Sequence, residues 1–395
     1  MIRVAFPLAG GKDWTGTGLH NYMLNLMRVL ARYVPDRLQP VLFVGTDAAE
    51  VNISPFDTIP GLQVVRAVEF NDDCKGQRFR QALLTGFHRG VALCFREHGI
   101  DVLFERATFY GWRFPLPTVA WIPDFQHRHL KDMFSLAAYW QRDLGFRTQI
   151  SSGRHIMLSS EDSRRDCEYF FPKSIGRTSV VRFAVFPPDA SDYDTARAIA
   201  NEYKLPEHFF YLPNQFWKHK NHRVVIEALH FLKEQGEEIV VAATGKPDDY
   251  RHRDHYSNLR SLVTAYGLEN NFRFLEMVPR QHVFALMRTC AALVNPSRFE
   301  GWSSTVEEAK SLGVPMLLSN LGVHLEQADG SAEYFAPDAP HQLAALMVRQ
   351  REISSTARQE MEQVALAASC SRVRRYAEDF LETIYRATSS RIFSA

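Results

Sequence analysis

Short apolar runs that alternate with longer amphipathic stretches constrain this chain more than any other feature. IRVAFPL (2–8), VLFVG (41–45), DVLFE (101–105), TVAWIPD (118–124) and SGRHIMLSS (152–160) read as strands. LHNYMLNLMRVLARY (19–33) and FRQALLTGFHRGVALCFREHG (79–99) read as helices between them. Strands apolar on both faces, separated by helices, predict an α/β parallel sheet. Around VFPPDASDYD (185–194) the pattern loosens into Pro, Asp and Ser, which predicts a linker. Beyond it lies a second α/β set. Its strands are FFYLPN (209–214), EIVVAATG (238–245), NFRFLE (271–276), AALVNPS (291–297) and PMLLS (315–319). Its helices fall over 221–234, 253–266 and 280–290 and from 304, and the tail from 338 is mostly helical.

A chain of 395 residues exceeds what one hydrophobic core usually organises. The expected architecture is therefore two doubly wound, Rossmann-like domains facing a central cleft, with substrates at the carboxyl ends of the strands. The boundaries are 1–187 for the first and 205–374 for the second, with the last helix, about 375–395, packing back on the first. A net charge of +1 gives no reason to expect nucleic acid. The charge is uneven, roughly +5 over residues 1–185 and roughly −4 over the rest. A mildly basic half fits an anionic membrane surface as well as it fits a surface without a partner. The five cysteines are scattered, with no zinc spacing, which suits a reducing compartment. MIRVAFPLAGG has no signal-peptide pattern, and no apolar run approaches the ~20 residues of a membrane span. The expectation is a cytoplasmic protein, peripheral on the inner face of the membrane.

The chemistry concentrates in RFEGWSSTVEEAKSLG (298–313). Glu300 and Glu308 stand with seven residues between them. Glu300 and Gly301 fall in the loop after the strand AALVNPS, and Ser304 or Thr305 caps the following helix, which ends at Gly313. Loop amides and the positive end of the helix dipole make an anion site, and Ser303, Ser304 and Thr305 add hydroxyls. A phosphate between two hydroxylated sugars fits that order: one carboxylate for a sugar, the other for a ribose. A capped surface helix with ordinary acids fits the spacing alone equally well.

The whole string NPSRFEGWSSTVEEAKSLGVPMLLSN resembles the signature of the retaining GT-B glycosyltransferases of family 4, whose two glutamates match Glu300 and Glu308. YLPNQFWKHKNHRVVIEAL (211–229) is similar to the family segment that supplies a phosphate-binding lysine, here Lys220. VAWIPDFQHRHLKDMFS (119–135) resembles the acceptor-side segment of bacterial surface-polysaccharide members. SNLGVHLEQADGSAEYFAPD (319–338) is similar to the family's closing strand and loop. The resemblance departs at two points. Gln215 stands where the family usually has an arginine, so Lys218 or Arg298 would have to supply that charge. Pro123 precedes Asp124 where the family's usual histidine would stand, so His127 would replace it.

The resemblance implies Glu300, Asp124 and His127 as the catalytic group. It implies substrate binding by Gly16, Thr17, Gly18, Gln215, Lys220, Gly301, Trp302, Ser303, Ser304, Thr305 and Glu308. Gly16-Thr17-Gly18 lacks the single tight turn of a dinucleotide fingerprint and reads as a ligand-bordering loop. Asp72-Asp73, Asp248-Asp249, His252 and His255 read as surface groups, and His222 as a solvated helix start. Such enzymes stabilise the leaving diphosphate with dipoles and basic side chains, so neither a metal nor another cofactor is expected. The activity implied is transfer of a hexose from GDP-mannose or a UDP-sugar to a saccharide or lipid-linked acceptor. The alternatives are a nucleotide-sugar 2-epimerase and a non-catalytic nucleotide- or glycan-binding scaffold on the same fold.

Overall fold

The computed structural model describes residues 1–8, 18–106, 108–186, 193–350 and 354–389. By its internal contacts the chain divides into two units. The first comprises Met1–Arg128, Ser135–Ala184 and Arg372–Ala395. The second comprises His129–Phe134 and Val185–Ser371.

The first unit is built on seven strands: β1 (Ile2–Leu8), β2 (Leu38–Val44), β3 (Gln63–Arg66), β4 (Val102–Glu105), β5 (Thr118–Trp121), β6 (His155–Leu158) and β7 (Thr178–Val180). They lie in the order β3-β2-β1-β4-β5-β6-β7, and every pairing is parallel. The chain winds outward from β1 to β3, then returns to β4 on the other side of β1. The topological switch point therefore lies between β1 and β4. Val4, Ala5 and Phe6 are fully buried, as a strand covered on both faces requires. The helix Gly18–Tyr33 buries Met23, Leu26, Met27 and Leu30, the spacing of one helical face.

The expected helix over 79–99 is two, Lys75–Thr85 and Arg89–Glu97. Gly86 ends the first in the left-handed region (φ 86°), and His88 caps the second by accepting from Val91 N at 3.0 Å. Helical propensity on both sides hid that break. Edge strands β3 and β7 and the helices Leu136–Ser151 and Glu161–Phe170 were not marked in the sequence.

The second unit holds β8 (Phe210–Leu212), β9 (Val241–Thr244), β10 (Phe272–Glu276), β11 (Leu293–Asn295), β12 (Met316–Ser319) and β13 (Glu333–Phe335). Their order is β10-β9-β8-β11-β12-β13, again all parallel, with the switch point between β8 and β11. The helices expected at 221–234, 253–266 and 280–290 are His222–Glu234, His255–Ala265 and Arg280–Thr289. The last helix, Ser355–Ser389, is continuous, and its residues from Arg372 onward belong to the first unit. There Phe380 stacks on Phe6 with centroids 5.9 Å apart.

Candidate active site

The loop after β11 and the helix Ser304–Ser311 lie at the switch point of the second unit. Asn295 ends β11 fully buried and ties the start of that loop to the start of the helix. Its Nδ2 donates to Ser303 Oγ at 3.0 Å, and its Oδ1 faces the Ser297 hydroxyl at 2.7 Å. That hydroxyl is also 2.7 Å from Glu300 Oε1, so its single proton serves one of the two oxygens.

Glu300 Oε1 accepts from Lys220 Nζ at 2.6 Å. Lys220 comes from the 3₁₀ turn Lys218–Lys220 after β8. Asn221, left-handed at φ 57°, turns the chain from there into His222–Glu234. Its Nδ2 donates to the Pro296 and Pro337 carbonyls, and Arg298 N donates to the His219 carbonyl. Three stretches of backbone, around residues 219–221, 296–298 and 337, are thus tied around one ion pair. Burial alone would raise the Glu300 carboxyl. Lys220, then His324, and the hydrogen bonds from Lys220 and Ser297 outweigh burial and hold it at about 2. His324 is fully buried, with Nδ1 2.8 Å from the Ser319 carbonyl, and burial lowers its pKa while the nearby Glu300 opposes that. Nothing in the sequence pattern singled out His324.

Glu308 lies one turn inside the helix, buried, with Oε1 3.2 Å from Arg280 Nη2. Burial raises its pKa and Arg280 only partly opposes this. The two glutamates thus have opposite electrostatics: Glu300 is a firmly held anion, while Glu308 gives up its charge more readily.

The helix is capped differently from expectation. Ser303, not Ser304 or Thr305, is the N-cap residue, and its side chain makes no cap hydrogen bond. Ser303 N–H is also not available to an anion, because it donates to Gln327 Oε1 at 3.0 Å, while Gln327 Nε2 returns a bond to the Ser303 carbonyl at 2.8 Å. Beyond the cap, the Ser304, Thr305 and Val306 amides have no intrahelical partner, since the first such bond runs from Glu307 N to the Ser303 carbonyl. Gly301 and Trp302 are half-buried in the loop before them.

Gln215 is tied down: its Oε1 accepts from Lys246 N at 2.8 Å. Next to that contact the backbones nearly touch, since a Cβ on Gly245 would stand 2.4 Å from the Asn214 carbonyl oxygen. Arg298 is paired with Asp338, and Lys218 is exposed. The histidines are not surface groups. His222 is fully buried against the Phe216 ring (centroids 4.6 Å), and His252 and His255 each keep a buried Nε2. Asp249 is buried as well, accepting from Lys218 N at 3.0 Å and Arg251 N at 3.1 Å, so it organises a loop. Alternating apolar and basic residues in this stretch look solvated in sequence and pack as aromatic stacks in three dimensions.

Two expected catalytic residues lie in the first unit. His127 is fully buried between the Tyr139 and Phe146 rings, 3.4 Å from Asp143 Oδ1. Burial, reinforced by Arg142, lowers its pKa to about 4. It is a core histidine and does not replace a sugar-contacting one. Asp124 accepts from Arg142 Nη2 at 2.6 Å and from Gln126 N at 2.9 Å, which gives it a turn-forming role. Gly16 and Thr17 lie outside the described residues, while Gly18 opens the helix Gly18–Tyr33 in free space. Among the described residues no three His, Cys, Asp or Glu side chains converge as a metal-ligand set, and no helix is long and apolar enough to cross a membrane.

Residues 192–362, which lie in the second unit, match the model of the family "Glycosyl transferases group 1". A sucrose synthase of Melioribacter roseus is 29% identical over 100 residues, 24% of this chain and 13% of that protein. The chain thus matches only a small part of that relative's length. Among solved structures, a glycosyltransferase from Rickettsia africae superposes with TM-score 0.71 at 13% identity, covering 98% of each chain. HepE of Anabaena, bound to UDP and glucose, gives 0.68 at 17% identity, covering 98% of this chain and 100% of that one. WaaG, involved in lipopolysaccharide biosynthesis, gives 0.61 at 16% identity over 98% of each chain. These likenesses carry the fold: two Rossmann-like parallel-sheet units, as in GT-B glycosyltransferases.

Proposed function

We propose that this chain is a retaining glycosyltransferase that moves a hexose from a nucleotide sugar to a saccharide or lipid-linked acceptor. The observation that carries the proposal is the switch-point loop of the second unit. There an ionised Glu300 is bound to Lys220, the first amides of a helix are left without intrahelical partners, and Glu308 lies one turn further on. UDP-sugar is the preferred donor over GDP-mannose, because structural neighbours were solved with UDP and with UDP-glucose. The assignment extends to the surface-polysaccharide type and to cytoplasmic work at a membrane face, on the sequence resemblance alone.

In this reading Glu308 accepts the ribose hydroxyls. Lys220 with the Ser304 and Thr305 amides takes the diphosphate, and Glu300 orients the sugar. Lys220 is shared between Glu300 and the diphosphate. When the bond from the sugar C1 to the phosphate oxygen breaks, charge grows on that oxygen, where the preorganised donors act; one is worth ~3 kcal/mol. The acceptor oxygen bonds to C1 on the same face, and its proton passes to the departing phosphate. A double displacement would call for two carboxylates about 5 Å apart across the bond. Glu300 is engaged with Lys220 and Glu308 with Arg280, so the same-face course is preferred. The donors invoked are side chains and amides, so no metal is assigned a role.

Calorimetric titration with UDP, GDP and ADP tests the reading, in wild type and in Glu308→Ala. The expected result is tight binding of one nucleotide, weakened about tenfold or more by the substitution. Absence of any nucleotide binding overturns it. Release of the nucleoside diphosphate only when an acceptor is present separates transfer from epimerisation.

A further inference from the structure

The first unit has a switch point of its own, and a cation without a partner among the described residues stands at it. Arg106 directly follows β4, the strand that pairs with β1 at Val4↔Val102 and Ala5↔Leu103. Continuing that register sets Arg106 beside Leu8, at the carboxyl edge of both strands. In open parallel sheets ligands bind at this edge and at this crossing.

The surroundings of Arg106 are built, not loose. Glu105, the nearest carboxylate in sequence, is fully buried and already engaged. It accepts from Arg154 Nε at 3.0 Å and Tyr110 N at 2.9 Å. Gln149 Nε2 lies 3.4 Å from Glu105 Oε2 and also donates to the Arg106 carbonyl. The Arg106 backbone is thereby fixed, while its guanidinium makes no hydrogen bond or ion pair among the described residues. Its Nε is buried and bare. A second arginine, Arg78, is buried as well and donates to the Glu69 and Asn71 carbonyls. Arg78 and Arg106 both act on the buried Tyr110 hydroxyl, so they are neighbours in charge. Leaving a guanidinium partly desolvated and unpaired is costly unless a ligand supplies the anion.

We propose that Arg106 is the anchor of a second anion site, in the first unit, which binds an oxyanion of the acceptor. Its planar fork suits two oxygens of a phosphate or a carboxylate. Only the word acceptor rests on the transferase reading; the anion site itself does not. The acceptor would then be a sugar bearing a phosphate or a carboxyl group, in preference to a neutral one.

The test titrates the full chain with inorganic phosphate and with glucuronate by calorimetry, with UDP present to fill the donor site. The variants are Arg106→Gln, Arg106→Lys and, for the donor side, Lys220→Gln. One probe is expected to bind the wild type, to weaken about tenfold or more in Arg106→Gln, and to recover partly in Arg106→Lys. Lys220→Gln should keep that binding, and Arg106→Gln should keep wild-type UDP affinity. The probe that responds names the group as phosphate or carboxylate. The site is overturned if neither probe binds, if Arg106→Gln binds as wild type, or if only Lys220→Gln loses binding. Should Arg106→Gln fail to fold, Arg106→Met keeps the buried stem and takes its place in the same comparison. Failure of the wild type to bind UDP would sink the donor reading and leave this comparison intact.

Discussion

Glu300 and Glu308 carry the same functional group and are set to opposite states by their neighbours. Lys220 holds Glu300 at about 2, below its ordinary 4.5. A depressed carboxylate contributes stability above its unfolded pKa and loses it as pH falls through the folded one. The Lys220–Glu300 pair should therefore be intact at about pH 5 and above. It should weaken only between 4.5 and about 2, and the pH–rate profile should show no limb from Glu300 above that window. A limb at about pH 6 that disappears in Glu300→Gln would contradict this. Glu300→Gln itself should cut turnover by about a hundredfold while leaving UDP affinity within a few-fold, since one preorganised electrostatic contact is worth ~3 kcal/mol. Unchanged turnover would remove Glu300 from the chemistry. Glu308 runs the other way. A raised carboxyl costs stability when ionised, and that cost is absent below its unfolded pKa. Glu308→Gln should therefore be no less stable than wild type at about pH 8, yet bind nucleotide more weakly. A thermal melt beside a UDP titration checks both halves.

At the scale of elements, the site depends on loops that approach closely and turn sharply. Gly245 is the clearest case. Its φ of 151° and the 2.4 Å from its would-be Cβ to the Asn214 oxygen leave no room for a methyl group. Gly245→Ala should destabilise by about 2 kcal/mol or more and push the Gln215 loop away from Lys246, so nucleotide affinity should fall with stability. Wild-type melting in that variant would show that the loops tolerate separation. This is also where the sequence stopped being legible. The loop after β11 could be placed because AALVNPS is apolar, EGWSST is small and polar, and VEEAKSLG is helical. The Lys220–Glu300 pair could not be anticipated, because eighty positions separate its members and only the sheet order joins them. Gln327 illustrates the same limit: it takes the Ser303 amide from another turn of chain, so the local reading of Ser304 or Thr305 as the cap missed it. His127 failed for a related reason. The resemblance offers it in place of the histidine missing before Asp124, but Tyr139 and Phe146 from the next helix close over it.

At the scale of the whole molecule, the alternation of strands and helices made two Rossmann-like sheets legible, because buried parallel strands leave continuous apolar runs. Edge strands β3 and β7, four and three residues long, leave no such mark. The two units have separate cores. One includes Phe6, Phe104 and Phe380, with rings 5.3 to 5.9 Å apart. The other includes Val225, Leu229, Val241 and Val294. Phe380 and Leu229 are each buried to within 1%. Phe380→Ala removes an aromatic ring that the chain's last helix contributes to the first core, at a cost of about 3–5 kcal/mol. Leu229→Ala opens a cavity in the second core, at about 2–5 kcal/mol. Calorimetric melts should therefore show two transitions, each variant lowering its own by on the order of 10 °C. Saturating UDP should raise only the transition that Leu229→Ala lowers, because ligand linkage stabilises the unit that binds. A single transition that both variants shift equally would mean that the continuous helix Ser355–Ser389 unfolds the two cores as one. Acceptor specificity and donor binding would then have to be measured as coupled quantities rather than assigned to one unit each.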